Sequence, residues 1–186
     1  MTTRDKLIEG MRDSLRARGY GSTSMKDLLA TTGVSSGSMY HSFPGGKDEL
    51  AATAIREAGF KGAAQIRSVF EKTQRVAAGI EFIFRALIDE LEGSDFANGC
   101  PIGVPATEAV GISPRIQEAS RSVFDAWVEA YRDALIGEGW SSSDANAFAT
   151  LIVASYEGSL TLARAMRRVA PIEDAMNHLV ARSDGL

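Results

Sequence analysis

The sequence predicts an all-α protein built from a small three-helix head and a larger helical body. Apolar residues recur at helical spacing along most of the 186-residue chain, and no sustained alternation of apolar and polar residues marks a strand. No Asn-Gly or Asp-Gly hairpin turn joins two β-rich runs. We expect the head to occupy about residues 1–50 and the body about residues 51–186.

Length and composition exclude several classes of protein. The chain is long enough to bury a sizeable core without a disulfide or a structural metal. The one cysteine, Cys100, rules out an intramolecular disulfide, and one cysteine with two histidines cannot build a Cys-rich zinc site. No apolar stretch reaches the ~18 to 20 residues of a membrane span, and the first ten residues are too charged for a signal peptide. We therefore expect a soluble, cytoplasmic protein that needs no cofactor.

The head begins with a packing helix and a short second helix. Apolar residues from Leu7 to Leu15 form one stripe, which predicts a helix over about residues 3–18 that stops at Gly19. The segment Ser24-Met25-Lys26-Asp27 has the spacing of a capping box. It predicts that the second helix covers about residues 25–31.

A third helix and the start of a fourth complete the head. Gly33 makes a tight turn, and Ser35 caps a short helix over about residues 36–42. The segment Phe43-Pro44-Gly45-Gly46 breaks this helix, and Lys47 begins a longer one. Two short helices joined by a glycine-containing turn behind a packing helix have the layout of a helix-turn-helix.

The charge distribution fits an anionic partner for the head. Residues 1–50 hold seven basic and six acidic residues, so the net charge of −4 leaves −5 for the rest of the chain. No acidic residue lies between Asp27 and Lys47. A long acid-free segment in an acidic protein suits a surface that approaches phosphate. A tight turn region with no functional role would look the same by charge alone.

Eight residues of the head are candidates for DNA contact. Tyr40, Lys47 and the helix N-termini at Ser24 and Ser35 would bind phosphates. The small or hydrogen-bonding side chains of the third helix would approach the bases or the adjoining backbone. The alternative is that the serines only cap helices and the tyrosine only packs. No Arg or Lys lies between the candidate lysines at positions 26 and 47, so specificity would rest on small side chains and DNA shape. The candidates are Ser24, Lys26, Ser35, Ser36, Ser38, Tyr40, His41 and Lys47.

The body contains six further predicted helices, with proline at or near the start of three of them, where the missing amide is harmless. These prolines are Pro101, Pro114 and Pro171. The predicted helices cover about residues 47–71, 73–92, 103–110, 114–137, 143–168 and 171–183.

The head resembles the DNA-binding domain of the TetR family of bacterial repressors. The resemblance is carried by the segments at residues 23–28 and 33–40, by Phe43-Pro44 and by residues 47–50. The spacing between Phe43 and Lys47 is one residue longer than is commonest in that family. This longer segment, together with residues 98–102 and 156–164, resembles the LmrA/YxaF-like branch.

The resemblance implies a homodimer whose two heads read a near-palindromic DNA operator. The last two long helices, at about residues 143–183, would form a four-helix interface with their copies. The body would bind a small-molecule effector, and binding would change the spacing of the heads and release the DNA.

Aromatic and polar side chains of the body are candidates for an effector pocket. The aromatic residues could hold a flat hydrophobic ligand, and the polar ones could fix its orientation. For any one of them, ordinary core packing is the alternative. Cys100 could be a redox sensor or line the pocket, but no Lys, Arg or His nearby in the sequence would activate its thiol, which favours a packing residue. The candidates are Phe84, Asn98, Cys100, Glu108, Trp127, Tyr131, Tyr156 and Glu157.

We weigh four functions. An enzyme finds no support, because the chain has no HExxH, phosphate loop, Glu-x-x-His pair or evident nucleophile and base. A helical interaction module without DNA binding is at odds with the intact Tyr40 and Lys47. An activator on the same scaffold stays open. A ligand-responsive repressor accounts for the head and the body together.

Overall fold

The computed structural model describes residues 1–73 and 75–184, and its regular structure in that part of the chain is helical, as predicted. Nine helices follow one another there, and no strand occurs among these residues. They are α1 (Thr3–Arg18), α2 (Met25–Thr32), α3 (Ser36–Ser42), α4 (Gly46–Thr73), α5 (Val76–Gly93), α6 (Gly103–Glu108), α7 (Pro114–Gly137), α8 (Ser142–Met166) and α9 (Ala170–Asp184).

Several of the predicted helices have different ends. Helix α4 continues to Thr73 instead of residue 71, and α8 stops at Met166 instead of residue 168. Helix α6 stops at Glu108 instead of residue 110, because the backbone turns back at Ala109 and Gly111 takes a φ of 74°. Helix α5 begins at Val76 instead of residue 73, after Arg75 in an extended conformation.

Local capping explains where the helices of the head begin and end. Ser24 accepts a hydrogen bond from the amide of Asp27, which is half of the predicted capping box. Within the described residues, the box with both bonds present is formed by Thr2 and Asp5 at the start of α1. Gly33 ends α2 in the left-handed region at φ 67°, a conformation that glycine adopts without strain.

The chain divides into two compact units. The first contains Met1–Phe60 and Cys100–Val123, so it includes α6 as well as the three helices of the head. Its core is formed where α1 packs against α2 and α3, with Leu7, Met11, Leu28, Met39 and Phe43 all almost fully buried. The first unit therefore combines the head with a later segment of the chain, whereas the sequence suggested one boundary near residue 50.

The second unit contains the described residues of Lys61–Gly99 and those from Phe124 onward. Within it, α9 packs against α5 and α8. The contact faces are apolar: Ile80 and Leu91 of α5, Ile152 of α8 and Ile172 of α9 are at most 1% exposed. Burial of these side chains removes apolar surface from water and holds the helices together.

Candidate functional site

Helix α3 presents a polar, exposed face. Met39 and Phe43 are 1% and 2% exposed and anchor the helix against the head. On the outer side, Tyr40 is 55% exposed, and the other α3 candidates are exposed too. They are Ser36, Ser38 and His41. The apolar anchors thus determine which side chains face outward.

The two helix N-termini of the motif are also at the surface. The Ser35 hydroxyl accepts a hydrogen bond from the Ser38 amide at 3.1 Å and lies 2.9 Å from the Ser38 hydroxyl. Ser24 accepts from the Asp27 amide at 3.4 Å. Both serines and Lys26 are exposed. Capped helix N-termini still point free amides outward, which is the arrangement that binds phosphate oxygens.

Lys47 contacts the turn between α1 and α2. Its Nζ donates a hydrogen bond of 2.7 Å to the carbonyl oxygen of Tyr20 and lies 4.0 Å from the centre of the Tyr20 ring. Desolvation lowers the pKa of the Lys47 ammonium group, against the opposing effect of Asp48 and Glu108. An ammonium group has three N–H donors, so two remain for other partners. Tyr20 was not a candidate from the sequence.

Asp48 joins three segments of the first unit. Its carboxylate accepts hydrogen bonds from the Tyr20 hydroxyl and, at 2.7 Å, from the Ser113 hydroxyl. The bonds from Tyr20 and Ser113 hold the pKa of Asp48 below its usual range. Burial and then the nearby Asp48 raise the pKa of Tyr20.

Glu108, which the sequence suggested for ligand binding, holds the same turn. Its carboxylate accepts hydrogen bonds from the amides of Tyr20 at 2.5 Å and Gly21 at 3.2 Å. Gly19 has a φ of 78°, and a Cβ there would lie 2.6 Å from Glu108 Oε1. Only glycine fits both this backbone conformation and this close approach. The contact joins residues 88 positions apart, and no local pattern reveals it.

The second unit contains a cavity of about 380 Å³. Its buried floor includes Ile66, Leu87, Trp127, Tyr131 and Val153, and its rim is exposed. The complete lining is Gly62, Gln65, Ile66, Ser68, Val69, Lys72, Phe82, Ile83, Ala86, Leu87, Glu90, Trp127, Tyr131, Val153 and Tyr156. Its size and its mostly apolar lining with a few polar groups are those of a small-molecule site.

Aromatic rings form one side of this cavity. The rings of Trp127 and Tyr156 meet edge to face, with centroids 6.0 Å apart. Phe84 packs in the same way against Tyr156 at 5.8 Å, and Phe70 against Tyr131 at 5.5 Å. Such contacts restrict the orientation of the rings.

The structure brings three of the eight ligand candidates together. Trp127, Tyr131 and Tyr156 line the cavity, whereas Phe84 is fully buried next to Tyr156 and is not part of the lining. Asn98 and Glu157 belong to the same unit and are also not part of the lining.

Cys100 and Glu108 belong to the first unit, which does not contribute to the cavity lining. Cys100 is a buried thiol at 6% exposure, and its sulfur accepts a hydrogen bond from the Ile102 amide.

Sequence reasoning missed most of the lining, such as Gln65, Ser68, Lys72 and Ala86. In the sequence these residues are ordinary members of helices α4 and α5, and only tertiary packing brings them to one cavity.

Two family models match the chain in adjacent stretches. Residues 7–54 match the model for bacterial regulatory proteins of the tetR family. Residues 76–178, more than half of the chain, match the C-terminal domain of LmrA/YxaF-like transcriptional regulators. The chain belongs to the TetR family. It is therefore a DNA-binding transcriptional regulator, and both the predicted family and the predicted LmrA/YxaF-like branch are confirmed.

Curated relatives agree with this TetR-family assignment along nearly the whole chain. An HTH-type transcriptional regulator of Mycobacterium tuberculosis strain H37Rv is 32% identical over 180 residues, covering 91% of this chain and 88% of that protein. The HTH-type transcriptional regulator LmrA of Bacillus subtilis is 26% identical over 170 residues, covering 91% of this chain and 90% of that protein. These relatives are regulators, in agreement with the prediction that the chain is not an enzyme.

Solved structures show the same fold. A TetR transcriptional regulator from Legionella pneumophila has a TM-score of 0.89 at 20% identity and covers 98% of both chains. One from Chloroflexus aurantiacus has a TM-score of 0.77 at 28% identity, covering 96% of this chain and 92% of that chain. Among the described residues, no helix is both long and apolar enough to span a membrane.

Proposed function

We propose that this TetR-family regulator is a homodimeric repressor that a small hydrophobic or aromatic effector releases from a palindromic operator. The observation that carries the effector part is the cavity with its aromatic floor. Trp127 and Tyr131 are almost fully buried in the unit that contains it, yet both border open space of about 380 Å³. A cavity of this volume next to apolar and aromatic side chains favours an apolar ligand.

The exposed face of α3 supports DNA reading by small side chains. Ser36, Ser38 and His41 point outward from a helix that carries no lysine or arginine. Arg or Lys contacts to guanine are therefore absent from this helix, and we propose that specificity comes from serine and histidine contacts and from DNA shape. Affinity would come from phosphate contacts, made by Tyr40 and Lys26 and by the helix N-termini at Ser24 and Ser35.

Lys47 has a double role in this proposal. One of its donors holds the Tyr20 carbonyl, and the remaining two would reach a phosphate. The contact with Tyr20 would then position the ammonium group before DNA arrives, which lowers the entropy lost on binding.

A second copy of the chain would pack along α8 and α9, over about residues 143–183. On α8, Leu151, Leu162 and Met166 are about half exposed, and the small residues Ala154 and Gly158 are exposed between them. These positions recur at helical spacing and form one apolar stripe. Symmetric pairing of such a stripe removes it from water and gives the two-fold arrangement that a palindromic operator requires.

Fluorescence anisotropy with labelled DNA tests the repressor proposal. The duplex comes from the region upstream of the protein's own gene, beside a scrambled duplex of equal composition, at two salt concentrations. We expect tighter binding to the native duplex and a steep loss of affinity with salt. Equal, weak binding to both duplexes would contradict operator recognition at this locus.

An activator on the same scaffold is the second candidate. It shares the DNA-binding face and the cavity and differs in its effect on transcription. Transcription in vitro from the bound promoter separates the two, since a repressor lowers transcript yield and an activator raises it.

A further inference from the structure

A buried tyrosine hydroxyl in the cavity wall has no hydrogen-bond partner. Tyr131 is 2% exposed and lines the cavity. Among residues 1–73 and 75–184, no group donates to its hydroxyl or accepts from it. The oxygen is also not among the fully enclosed side-chain atoms that lack a partner, so it stays accessible from the cavity. Burial of a hydroxyl without a partner is unfavourable, and such a group marks a place for a ligand.

The position of this hydroxyl is fixed by its surroundings. The Phe70 ring meets the Tyr131 ring edge to face at an interplanar angle of 71°, with centroids 5.5 Å apart. A buried ring held in this way keeps one orientation. The hydroxyl is therefore a preorganised group, and binding to it loses little conformational entropy.

The hydroxyl is a donor under physiological conditions. Burial raises the pKa of Tyr131 above its ordinary value near 10, so the proton stays on the oxygen at neutral pH. A neutral phenol hydroxyl donates one hydrogen bond and can also accept, and the donated bond is matched by a ligand acceptor such as a carbonyl oxygen.

The charges around the cavity favour a neutral ligand. Two lining residues ionise, Lys72 and Glu90, and both are exposed and opposite in sign. The buried floor offers no charged side chain to pair with an ionic ligand group. An ionised ligand in the floor would lose its hydration without a counter-charge.

We propose that Tyr131 determines effector specificity by donating a hydrogen bond to an acceptor oxygen of a flat, neutral ligand. Trp127 supplies aromatic surface for the ring system of that ligand. This role rests on the proposed effector function and narrows it to one chemical class, neutral aromatic ketones and related carbonyl compounds.

The test uses two probes that differ by one acceptor, 1-tetralone and tetralin. Each probe displaces the neutral dye N-phenyl-1-naphthylamine from the full-length chain, and the ratio of the two inhibition constants measures the preference for the carbonyl. The dye's own affinity cancels in this ratio. The ratio is measured in the unmodified chain, in Tyr131→Phe and in Tyr156→Phe, which removes a second hydroxyl from the same cavity.

We expect Tyr131→Phe to reduce the preference for 1-tetralone about three- to tenfold, the effect of one net hydrogen bond. In Tyr156→Phe the ratio should stay within about twofold of the unmodified chain, which is within the scatter of single-contact effects. Circular dichroism and thermal melting confirm that both variants are folded.

Three results would overturn the role of Tyr131: an unchanged ratio in Tyr131→Phe, an equal fall in Tyr156→Phe, or failure of both probes and the dye to bind. DNA anisotropy on the same preparations separates this failure from a failure of the proposed function. Sequence-specific DNA binding together with an unchanged ratio rejects only the tyrosine's role. Loss of sequence-specific binding in the unmodified chain rejects the repressor itself.

Discussion

Removal of the Glu108 carboxylate should destabilise the turn between α1 and α2. In the structure this carboxylate accepts hydrogen bonds from the Tyr20 amide at 2.5 Å and the Gly21 amide at 3.2 Å. A hydrogen bond to a charged group contributes about 1.5 to 3 kcal/mol. Glu108 is only half-buried, so water can hydrate the amides that truncation frees and offset part of the loss. We therefore expect Glu108→Ala to lower the free energy of unfolding by about 1.5 to 3 kcal/mol in total.

Urea unfolding followed by circular dichroism measures this loss. Glu118→Ala is the matched control, since Glu118 is an exposed carboxylate of the same unit that pairs with Arg121 on its own helix. Such surface pairs contribute little to stability. Hydrogen exchange gives a local measurement, because the amides of Tyr20 and Gly21 should exchange faster in Glu108→Ala and not in Glu118→Ala. A loss no larger than that of the control, with unchanged exchange, would refute the structural role.

Gly19 offers an independent measurement of the same contact. Gly19→Ala should be destabilising by about 1 to 3 kcal/mol from its positive φ, with a further cost from the overlap of Cβ with the Glu108 carboxylate. The overlap disappears when Glu108 is already alanine, so the double variant should lose less than the sum of the two single losses. Strict additivity would mean that the side chain of Glu108 is not held against Gly19.

Three further predictions concern charge and assembly. Asp48→Asn should lower stability at pH 7, and the difference from the unmodified chain should vanish in urea melts as pH falls through the depressed pKa of Asp48, because a lowered carboxyl pKa stabilises only above it. Lys26→Ala should weaken binding to the native and the scrambled duplex alike and reduce the steepness of log K against log salt by about 0.9. Lys61 is exposed in the other unit, and Lys61→Ala should leave this slope unchanged. Leu162→Glu should convert a dimer to a monomer in sedimentation velocity, whereas Ile112→Glu, also at an exposed position, should not; a dimer that persists in Leu162→Glu would contradict the interface on α8.

Much of the head could be predicted from the sequence because its signals are local. The caps at Ser24 and Ser35 and the turn at Gly33 act within three or four residues, and the structure has them where the sequence predicts them. The outward face of α3 follows from helical periodicity once Met39 and Phe43 are assigned to the core.

The end of α6 and the start of α5 could be located only from the structure. Helix α6 ends at Glu108 because the chain turns at Gly111, and α5 begins at Val76, whose amide donates to the Glu138 carboxylate at 2.5 Å. The second contact spans 62 positions, so periodicity near residue 73 could not reveal it.

The sequence by itself determined the fold class, the family and the candidate DNA-binding face, because helix periodicity, capping and turns depend on neighbouring residues. Tertiary structure decided the roles of individual polar residues. Glu108 holds the turn at Tyr20 and not the cavity, and Tyr131 keeps a hydroxyl without a partner in a buried wall. Both depend on contacts between residues far apart in the chain, which packing creates and which no short sequence pattern encodes.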